Sequence, residues 1–580
     1  MNSVILEQPW HFFSPDPSLV NELAAKSSVP PLIAGLLFHR GINTTDAVTS
    51  HLTPVLSSLS DPWKMAGMEP AVERLIQAVK RREKITVFGD YDADGVTAST
   101  LVCRFLHDLG LAVDVYLPHR EHEGYGLNPE AVKKIASTGC SLLITVDCGV
   151  SNQEEIALAR SLDMDCIVTD HHEPPPALPA ALAVLNPKRP DCRFPFKDLA
   201  GVGVAFNLIR ALRHRLFELG HWKGSVHPNL KEYLDLVAIG TIADMVSLLG
   251  DNRILVKAGL EIIESGARPG IAALKVVSSI SSGSVSASHV AYRIAPRINA
   301  AGRMDHSETA FRLLMERDAG EAARLAAQLE ALNRERQAVE RRIMAEALKK
   351  IRGMPGRDAY VVSDGGWKKG VIGIVASKLM NRLSRPVILL AEDALEAHGS
   401  GRSPEGLNIY EALSCCGNHL ISFGGHKAAA GLRLPAASVD EFTTAFEQTV
   451  ASMLRDRDIR PRLMIDATAD VSELLAPEFA EIYEQLEPFG HGYPEPLFAI
   501  HNFTVKRSAV VGRRHLKLTL GPDAPEDILI PPGELELVGW GHGDKIGLSW
   551  DEFEIACIPC FNEWRGRKRL QLKLWDIRQK

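Results

Sequence analysis

Phe88-Gly-Asp-Tyr-Asp-Ala-Asp-Gly95 decides how the chain folds. It follows the β-branched run that begins at Ile85 and leads into Ala93 to Leu109, whose apolar residues recur at helical spacing. The stretch is therefore a strand–turn–helix junction with Asp90, Asp92 and Asp94 at the strand's carboxyl end. In an open parallel sheet, ligands bind at that edge. Alternating carboxylates repel one another unless cations neutralise them, and oxygen-rich sites of this kind suit Mg²⁺ or Mn²⁺. Asp-x-Asp-x-Asp-Gly also opens a calcium-binding EF-hand loop. That loop needs a Glu where Leu101 stands, and a helix rather than a strand in front of it.

Further apolar runs, Val113 to Leu117, Ser141 to Val146, Cys166 to Thr169 and Ala183 to Leu185, alternate with segments able to carry helices. This rhythm predicts a parallel sheet with helices on both faces. A more helical part, including Tyr233 to Leu249, extends to about residue 315. Asp147 ends the run Leu142-Leu-Ile-Thr-Val, and Asp170-His171-His172 follows Ile167-Val-Thr. Asp244 stands alone in the apolar stretch Ala238 to Leu248, where an unpaired charge is costly. A single Asp after a strand is usually a helix N-cap, and a His pair is often structural. Three parallel-type strands ending in metal-ligand types weaken that reading. Two metals with open positions for water and phosphate suit phosphoester hydrolysis.

Complementary positive charge comes later. Ala295-Pro-Arg-Ile-Asn-Ala-Ala-Gly-Arg303 sets Arg297 and Arg303 among small residues. Gly399-Ser-Gly-Arg-Ser-Pro404 and Phe423-Gly-Gly-His-Lys-Ala-Ala-Ala-Gly431 are Gly-rich turns whose amides, hydroxyls and guanidinium can converge on an oxyanion. Neither has the Lys-Ser/Thr of a P-loop. Gly201-Val-Gly-Val-Ala-Phe206 lacks the third Gly of a dinucleotide fingerprint and reads as a packing turn.

Asp318 to Arg352, free of Pro and dense in Ala, Leu, Glu and Arg, predicts one helix on the order of 50 Å long, stopped at Gly353-Met-Pro-Gly356. Its wide polar surface suggests a bridge between domains. A second α/β segment runs from Ala359 to about Leu454, and Pro461 begins a β-rich module. That module carries basic groups at Lys506-Arg507, Arg513-Arg514-His515-x-Lys517 and Arg565-x-Arg567-Lys568-Arg569. Four of the eight tryptophans, Trp540, Trp550, Trp564 and Trp575, are interleaved with them. Aromatics and cations on a small barrel can bind single strands, although most of these tryptophans are expected to form the barrel core.

At 580 residues the chain needs several domains. Its 46% hydrophobic and 24% charged residues are those of an ordinary soluble protein. The N-terminus lacks the basic start and apolar core of a signal peptide, and no stretch is long and apolar enough to span a membrane. A cytoplasmic location with no membrane association is expected. The nine scattered cysteines are then expected to be reduced, and Cys557-Ile-Pro-Cys560 has no second pair at zinc-ribbon spacing. The net charge of −7 argues against an indiscriminate nucleic-acid binder, so polyanion binding must come from local patches.

In order and spacing, Asp-Tyr-Asp-Ala-Asp-Gly, Val146-Asp-Cys-Gly, Asp170-His-His and Gly240-Thr-Ile-Ala-Asp resemble the four successive motifs of the DHH phosphoesterase family. The resemblance runs from about residue 50 to the end. Ser247 is a small departure, standing where many relatives have Pro. The family implies an α/β fold in which a parallel-sheet DHH domain and a smaller α/β DHH-associated domain are joined by a long helix, with a C-terminal OB-like β-barrel. The expected boundaries are an N-terminal helical segment 1–50, catalytic domain 51–315, connecting helix 316–355, substrate-binding domain 356–455 and single-strand-binding domain 460–580.

The resemblance implies two Mg²⁺ or Mn²⁺ ions, with Asp92, Asp94, Asp147, His171 and Asp244 as ligands and Asp90 and His172 as ligating or supporting groups. Asp170 or His172 would orient the attacking water. Arg120, Arg303, Ser400 and Arg402 match positions that hold a 5′-phosphate end, and His426 would line the substrate path. The implied activity is 5′-to-3′ exonucleolytic hydrolysis of single-stranded DNA to mononucleotides, in DNA repair and recombination. A single-strand-binding protein and a helicase are implied partners, and the implied state is a monomer. Two other readings are a phosphodiesterase for oligonucleotides or cyclic dinucleotides and an inactive DNA-binding scaffold. The basic β-module disfavours the first, and the intact acidic and histidine set disfavours the second.

Overall fold

Residues rich in Val and Ile build five parallel strands: β1 (Ile85–Gly89), β2 (Val113–Tyr116), β3 (Leu142–Val146), β4 (Asp165–Thr169) and β5 (Ala183–Leu185). In this computed structural model their order is β2-β1-β3-β4-β5. β1 and β3 are buried along their whole length, as strands covered on both faces must be. The register aligns Gly89 with Val146 and Val146 with Thr169. The next residues in sequence, Asp90, Asp147 and Asp170, therefore emerge side by side at one carboxyl edge.

Helices α1 (Ala93–Asp108), α2 (Gly201–Glu218), α3 (Leu234–Ala243) and α4 (Ala295–Met304) complete the part that carries this edge. The apolar stretch around Asp244 is interrupted: α3 ends at Ala243, Asp244 is its C-cap, and the next helix begins at Gly250. The bridging helix α5 (Ala319–Arg352) is as long as its composition predicts. The Asp318 side chain caps it by accepting from the Glu321 amide. Its buried residues Ala322, Leu325, Leu329, Asn333, Arg336, Glu340, Ile343, Ala347 and Ile351 recur every three or four positions. Glu330 pairs with Arg297 of α4, and Ile343, Ala347 and Ile351 share a core with Val362, Val375 and Leu389 of the second α/β segment.

That second segment comprises β6 (Tyr360–Asp364), α6 (Lys369–Leu383), β7 (Val387–Glu392), β8 (Glu396–Arg402), β9 (Ser422–Gly425) and β10 (Ala429–Pro435). Its sheet order is β9-β10-β8-β7-β6, antiparallel except for β6 beside β7.

The structure describes residues 9–222, 227–280, 283, 285–455, 462–522, 533–564 and 567–580, apart from the side chains of 563–568. Pro461, Arg565 and the side chains of Trp564, Arg567 and Lys568 lie outside that description. The chain divides into two units. One comprises Ser60–Asp244 and Gly259–Pro461, and the other comprises the residues up to Leu59, Met245–Ala258 and Arg462–Lys580.

In the second unit, seven strands follow one another as β12-β13-β17-β18-β16-β15-β14. Here β11 is Leu463–Ile465, β12 Ala467–Asp470, β13 Phe498–His501, β14 Phe503–Val511, β15 His515–Pro522, β16 Leu535–Gly539, β17 Phe553–Trp564 and β18 Arg567–Gln579. β11 instead pairs with Trp10–Phe12. The expected closed barrel is not formed among the described residues, because the outermost strands β12 and β14 do not pair with each other. Leu23, Ile33, Leu36 and Leu37 share one core with Phe479, Phe498, Leu516 and Leu537, because small helices cannot bury their apolar faces alone.

The tryptophan expectation needs correction. Trp550 is core at 7% exposure, but Trp540 and Trp575 are 65% and 49% exposed. Trp540 lies edge-on to the ring of His515, and Trp575 lies under Lys573. Cys557 and Cys560 are free thiols three residues apart on one strand, the first buried and the second half-buried. No metal-ligand cluster among the described residues includes them.

Candidate active site and metal centre

The aligned strand ends gather the predicted ligands. Three groups each bring one potential ligand atom per residue within 4.8 Å of the others: Asp90, Asp92 and Asp147; Asp94, His171 and Asp244; and Asp147, His171 and His172. His171 Nε2 lies 3.1 Å from Asp147 Oδ1 and 3.5 Å from Asp244 Oδ2. Asp92 N-caps α1, accepting from the amides of Asp94 and Gly95. Asp147 sits at φ 61°, a backbone strain typical of functional positions.

The cluster is costly as it stands. Burial, reinforced by Asp92, pushes Asp90 well above the usual carboxylate range. Burial with Asp94 does the same to Asp147. Burial and Asp92 raise Asp94 to about 7, and burial with Asp94 raises Asp244 to about 9. Burial, then the charge of His172, lowers His171 to about 3 and keeps its imidazole neutral. Asp90 Oδ1, Asp147 Oδ1 and His171 Nε2 are buried without a hydrogen bond. Neutral imidazole and unsatisfied carboxylate oxygens facing one another are the donor set that divalent cations require, so these residues fit the two metals that the sequence implies.

Asp170 plays a different part. Its Oδ1 accepts from the amides of His171 and His172, and its Oδ2 accepts from the Val150 amide. The same Oδ1 lies 2.8 Å from His172 Nδ1. Burial opposes ionisation of both groups, yet their mutual hydrogen bond holds Asp170 low and His172 high. Asp170 therefore orients the histidine pair through both backbone amides and the His172 ring.

Several contributors escaped the sequence reading. Gly201-Val202 is a helix start rather than a packing turn. The Gly201 amide donates to Asp94 Oδ2 at 2.6 Å, and the Val202 amide donates to Asp94 Oδ1 at 2.9 Å. A Cβ on Gly201 would lie 2.6 Å from Asp147 Cβ. Asn299 accepts from the Ala93 amide and ties α4 to the metal loop. The Tyr125 hydroxyl lies 3.0 Å from both Asp147 O and His172 Nδ1. Only the Gly-x-Gly pair was a visible signal; the other contacts join segments far apart in sequence.

The basic side is partly as expected. Arg303 and Arg402 both feel the charge of Arg120: burial, then Arg120, lowers Arg303 to about 10, and the same two causes lower Arg402. Arg402 donates to Ser400 Oγ, Ser377 Oγ and the Gly401 carbonyl. His426 is exposed at the tip of the β9–β10 hairpin, where its amide donates to Ala429 O. Arg297 does not join the set. It is ion-paired with Glu330 of α5 and donates to the carbonyls of Arg293 and Val277, so it fastens α4 rather than facing a phosphate.

The carboxylate edge and the facing arginines define a phosphoesterase of the DHH class, and the DHH family N-terminal domain matches residues 84–241. The DHHA1 domain matches 357–452, and the RecJ OB domain matches 465–576. The single-stranded-DNA-specific exonuclease RecJ of Bacillus subtilis (strain 168) is 37% identical, over 98% of this chain and 70% of its own length. The crystal structure of RecJ in complex with Mn²⁺ from Thermus thermophilus superposes with a TM-score of 0.82 at 33% identity, covering 99% of this chain and 80% of that one. The corresponding Mg²⁺ complex gives 0.76 at 31%, covering 99% and 78%. The chain belongs to the RecJ family.

Proposed function

We propose that this protein hydrolyses single-stranded DNA from the 5′ end to mononucleotides, using two Mg²⁺ or Mn²⁺ ions. The observation that carries the reading is the convergence of Asp90, Asp147 and His171, with unsatisfied ligand atoms, at the registered ends of adjacent strands. Asp90, Asp92, Asp94, Asp147, His171 and Asp244 would hold the ions. When bound, these supply Lewis acidity toward the phosphoryl group and acidify water. Asp170 holds the His172 ring where it orients the attacking water. Arg120, Arg303, Ser400 and Arg402 bind the terminal phosphate, and His426 lines the strand's path.

The exposed Trp540 and Trp575 support a single-strand platform in the C-terminal module, since a base stacks on an open indole face. No helix among the described residues is long and apolar enough to cross a membrane. We assign the protein to the cytoplasm as a monomer that works beside a single-strand-binding protein and a helicase.

The test is digestion of 5′-labelled and 3′-labelled single strands, beside duplex, with Mg²⁺, Mn²⁺ or EDTA. Metal-dependent release of mononucleotides from the 5′ label on single strands alone is expected, and Asp147→Ala should abolish it while the protein stays folded. Turnover of dinucleotides without DNA cleavage, or normal cleavage by the Asp147 variant, would overturn the reading.

A further inference from the structure

Tyr91 separates two metal-loop carboxylates, and nothing in the chemistry above requires an aromatic there. Its ring lies under the Arg120 guanidinium, whose Cζ is 4.9 Å from the ring centroid. Arg120 is half-buried and has no hydrogen bond or ion pair among the described residues, so this ring is what holds it. Such stacking fixes a planar guanidinium without using any of its five donors.

The surroundings bring the other two cations to the same place. Gly302, one residue before Arg303, packs on Tyr91: a Cβ there would lie 2.5 Å from the Tyr91 carbonyl oxygen. Arg303 Nη1 donates to the Gly370 carbonyl at the start of α6. Gly373, one turn along, faces Ser400 Oγ and Arg402 Nη2. A continuous series of close contacts thus runs from the metal loop through α4 and α6 to β8. It leaves the Arg303 and Arg402 guanidiniums both within range of the Arg120 charge, an arrangement that a bound phosphate relieves.

We propose that Tyr91 is a positioning residue that presents the Arg120 guanidinium, flat and with its donors free, to the 5′-terminal phosphate of the strand. The inference rests on the assignment of Arg120 to that phosphate.

The experiment compares kcat/KM on 5′-phosphorylated and 5′-hydroxyl single strands, using the full chain with Mn²⁺. In Tyr91→Leu the preference for the phosphorylated strand falls by roughly tenfold, the size of a partly desolvated cation–π contact, and it falls through KM. Tyr91→Phe keeps the preference, because the ring and not the hydroxyl does the work. Arg120→Lys keeps the charge but loses the flat face. It falls like Tyr91→Leu and serves if that variant does not fold. An equal loss on both substrates in Tyr91→Leu, or an unchanged preference in Tyr91→Leu or in Arg120→Lys, overturns the inference. Arg120→Ala separates the two levels. If it abolishes the preference while Tyr91→Leu keeps it, positioning by Tyr91 fails alone. If it leaves the preference intact, the phosphate assignment fails and the inference with it.

Discussion

Asp94 receives the Gly201 amide at 2.6 Å, a hydrogen bond between residues 107 positions apart. The start of α2 thereby holds the Asp94 carboxylate in place and presses against Asp147 at the end of β3. Gly201→Ala would drive a methyl into Asp147 while leaving every ligand present. Loss of such support costs roughly 10–100-fold in metal affinity or activity. Titration of Mn²⁺ against activity should show that loss with an unchanged circular dichroism spectrum. Wild-type metal dependence would refute the clamp.

The crowded carboxylates also make metal binding a stability measurement. An ion that binds the folded chain alone stabilises it by about 2.7 kcal/mol at a hundredfold excess over its Kd. Mn²⁺ added to EDTA-treated protein should raise the thermal midpoint by a few degrees. Asp147→Ala, which removes a group shared between the clusters, should show little or no rise. A full shift in that variant would place the ions elsewhere.

The grouping of candidate ligands was legible because every member except Asp244 sits within a few residues of a β-strand's carboxyl end, where local pattern and sheet topology suffice. Asp244 was legible only as a charge out of place among apolar neighbours. What stayed hidden was direction and long-range contact. Arg297 and Arg303 share one helix, yet Arg297 meets Glu330 while Arg303 turns to Gly370. Nothing in the spacing of a short Gly/Ala-rich helix indicates which side each will take. Tyr125 and Asn299 reach the site only through contacts across the tertiary fold. The exposed tryptophans reversed an expectation, because bulk apolarity argues for burial whereas a binding surface argues against it.

Trp540 and Trp575 should therefore matter for long substrates and not for short ones. Stacking of a base on an aromatic is worth about 1–3 kcal/mol. Trp540→Ala and Trp575→Ala should each weaken binding of a long oligonucleotide by roughly fivefold or more, measured by fluorescence anisotropy with the metal chelated. Trinucleotide turnover should be unchanged. Equal binding by wild type and both variants would return these indoles to incidental exposure.

Arg253 tests the second unit. Its side chain is almost wholly buried and donates to the carbonyls of His51, Gln485, Glu487 and Pro488, tying the N-terminal helices to the loop before the C-terminal strands. Each buried carbonyl left without a donor costs about 1–3 kcal/mol. Arg253→Met should lower stability by on the order of 3 kcal/mol or more, seen as a reduced urea midpoint and faster amide exchange around 485–493. A change below about 0.5 kcal/mol, the range of ordinary surface substitutions, would show that water or neighbouring donors replace the guanidinium.

His51 sets the acid limit of the same unit. Its ring is buried against Tyr493, and burial, then Arg253, Arg40 and Lys257, lowers its pKa to about 3. In the unfolded chain the ordinary value is about 6.5. The folded state therefore keeps the imidazole neutral while the unfolded state takes up a proton, and the linked stability is present in full above pH 6.5. It is lost progressively as pH falls toward 3, at about 1.4 kcal/mol per pH unit. Between pH 6.5 and 5 the wild type should lose about 2 kcal/mol through this group. His51→Gln, which cannot titrate, should unfold in urea with a flatter acid profile whatever its stability at pH 7.5. Parallel pH profiles for the two proteins would mean that His51 stays protonated inside the fold.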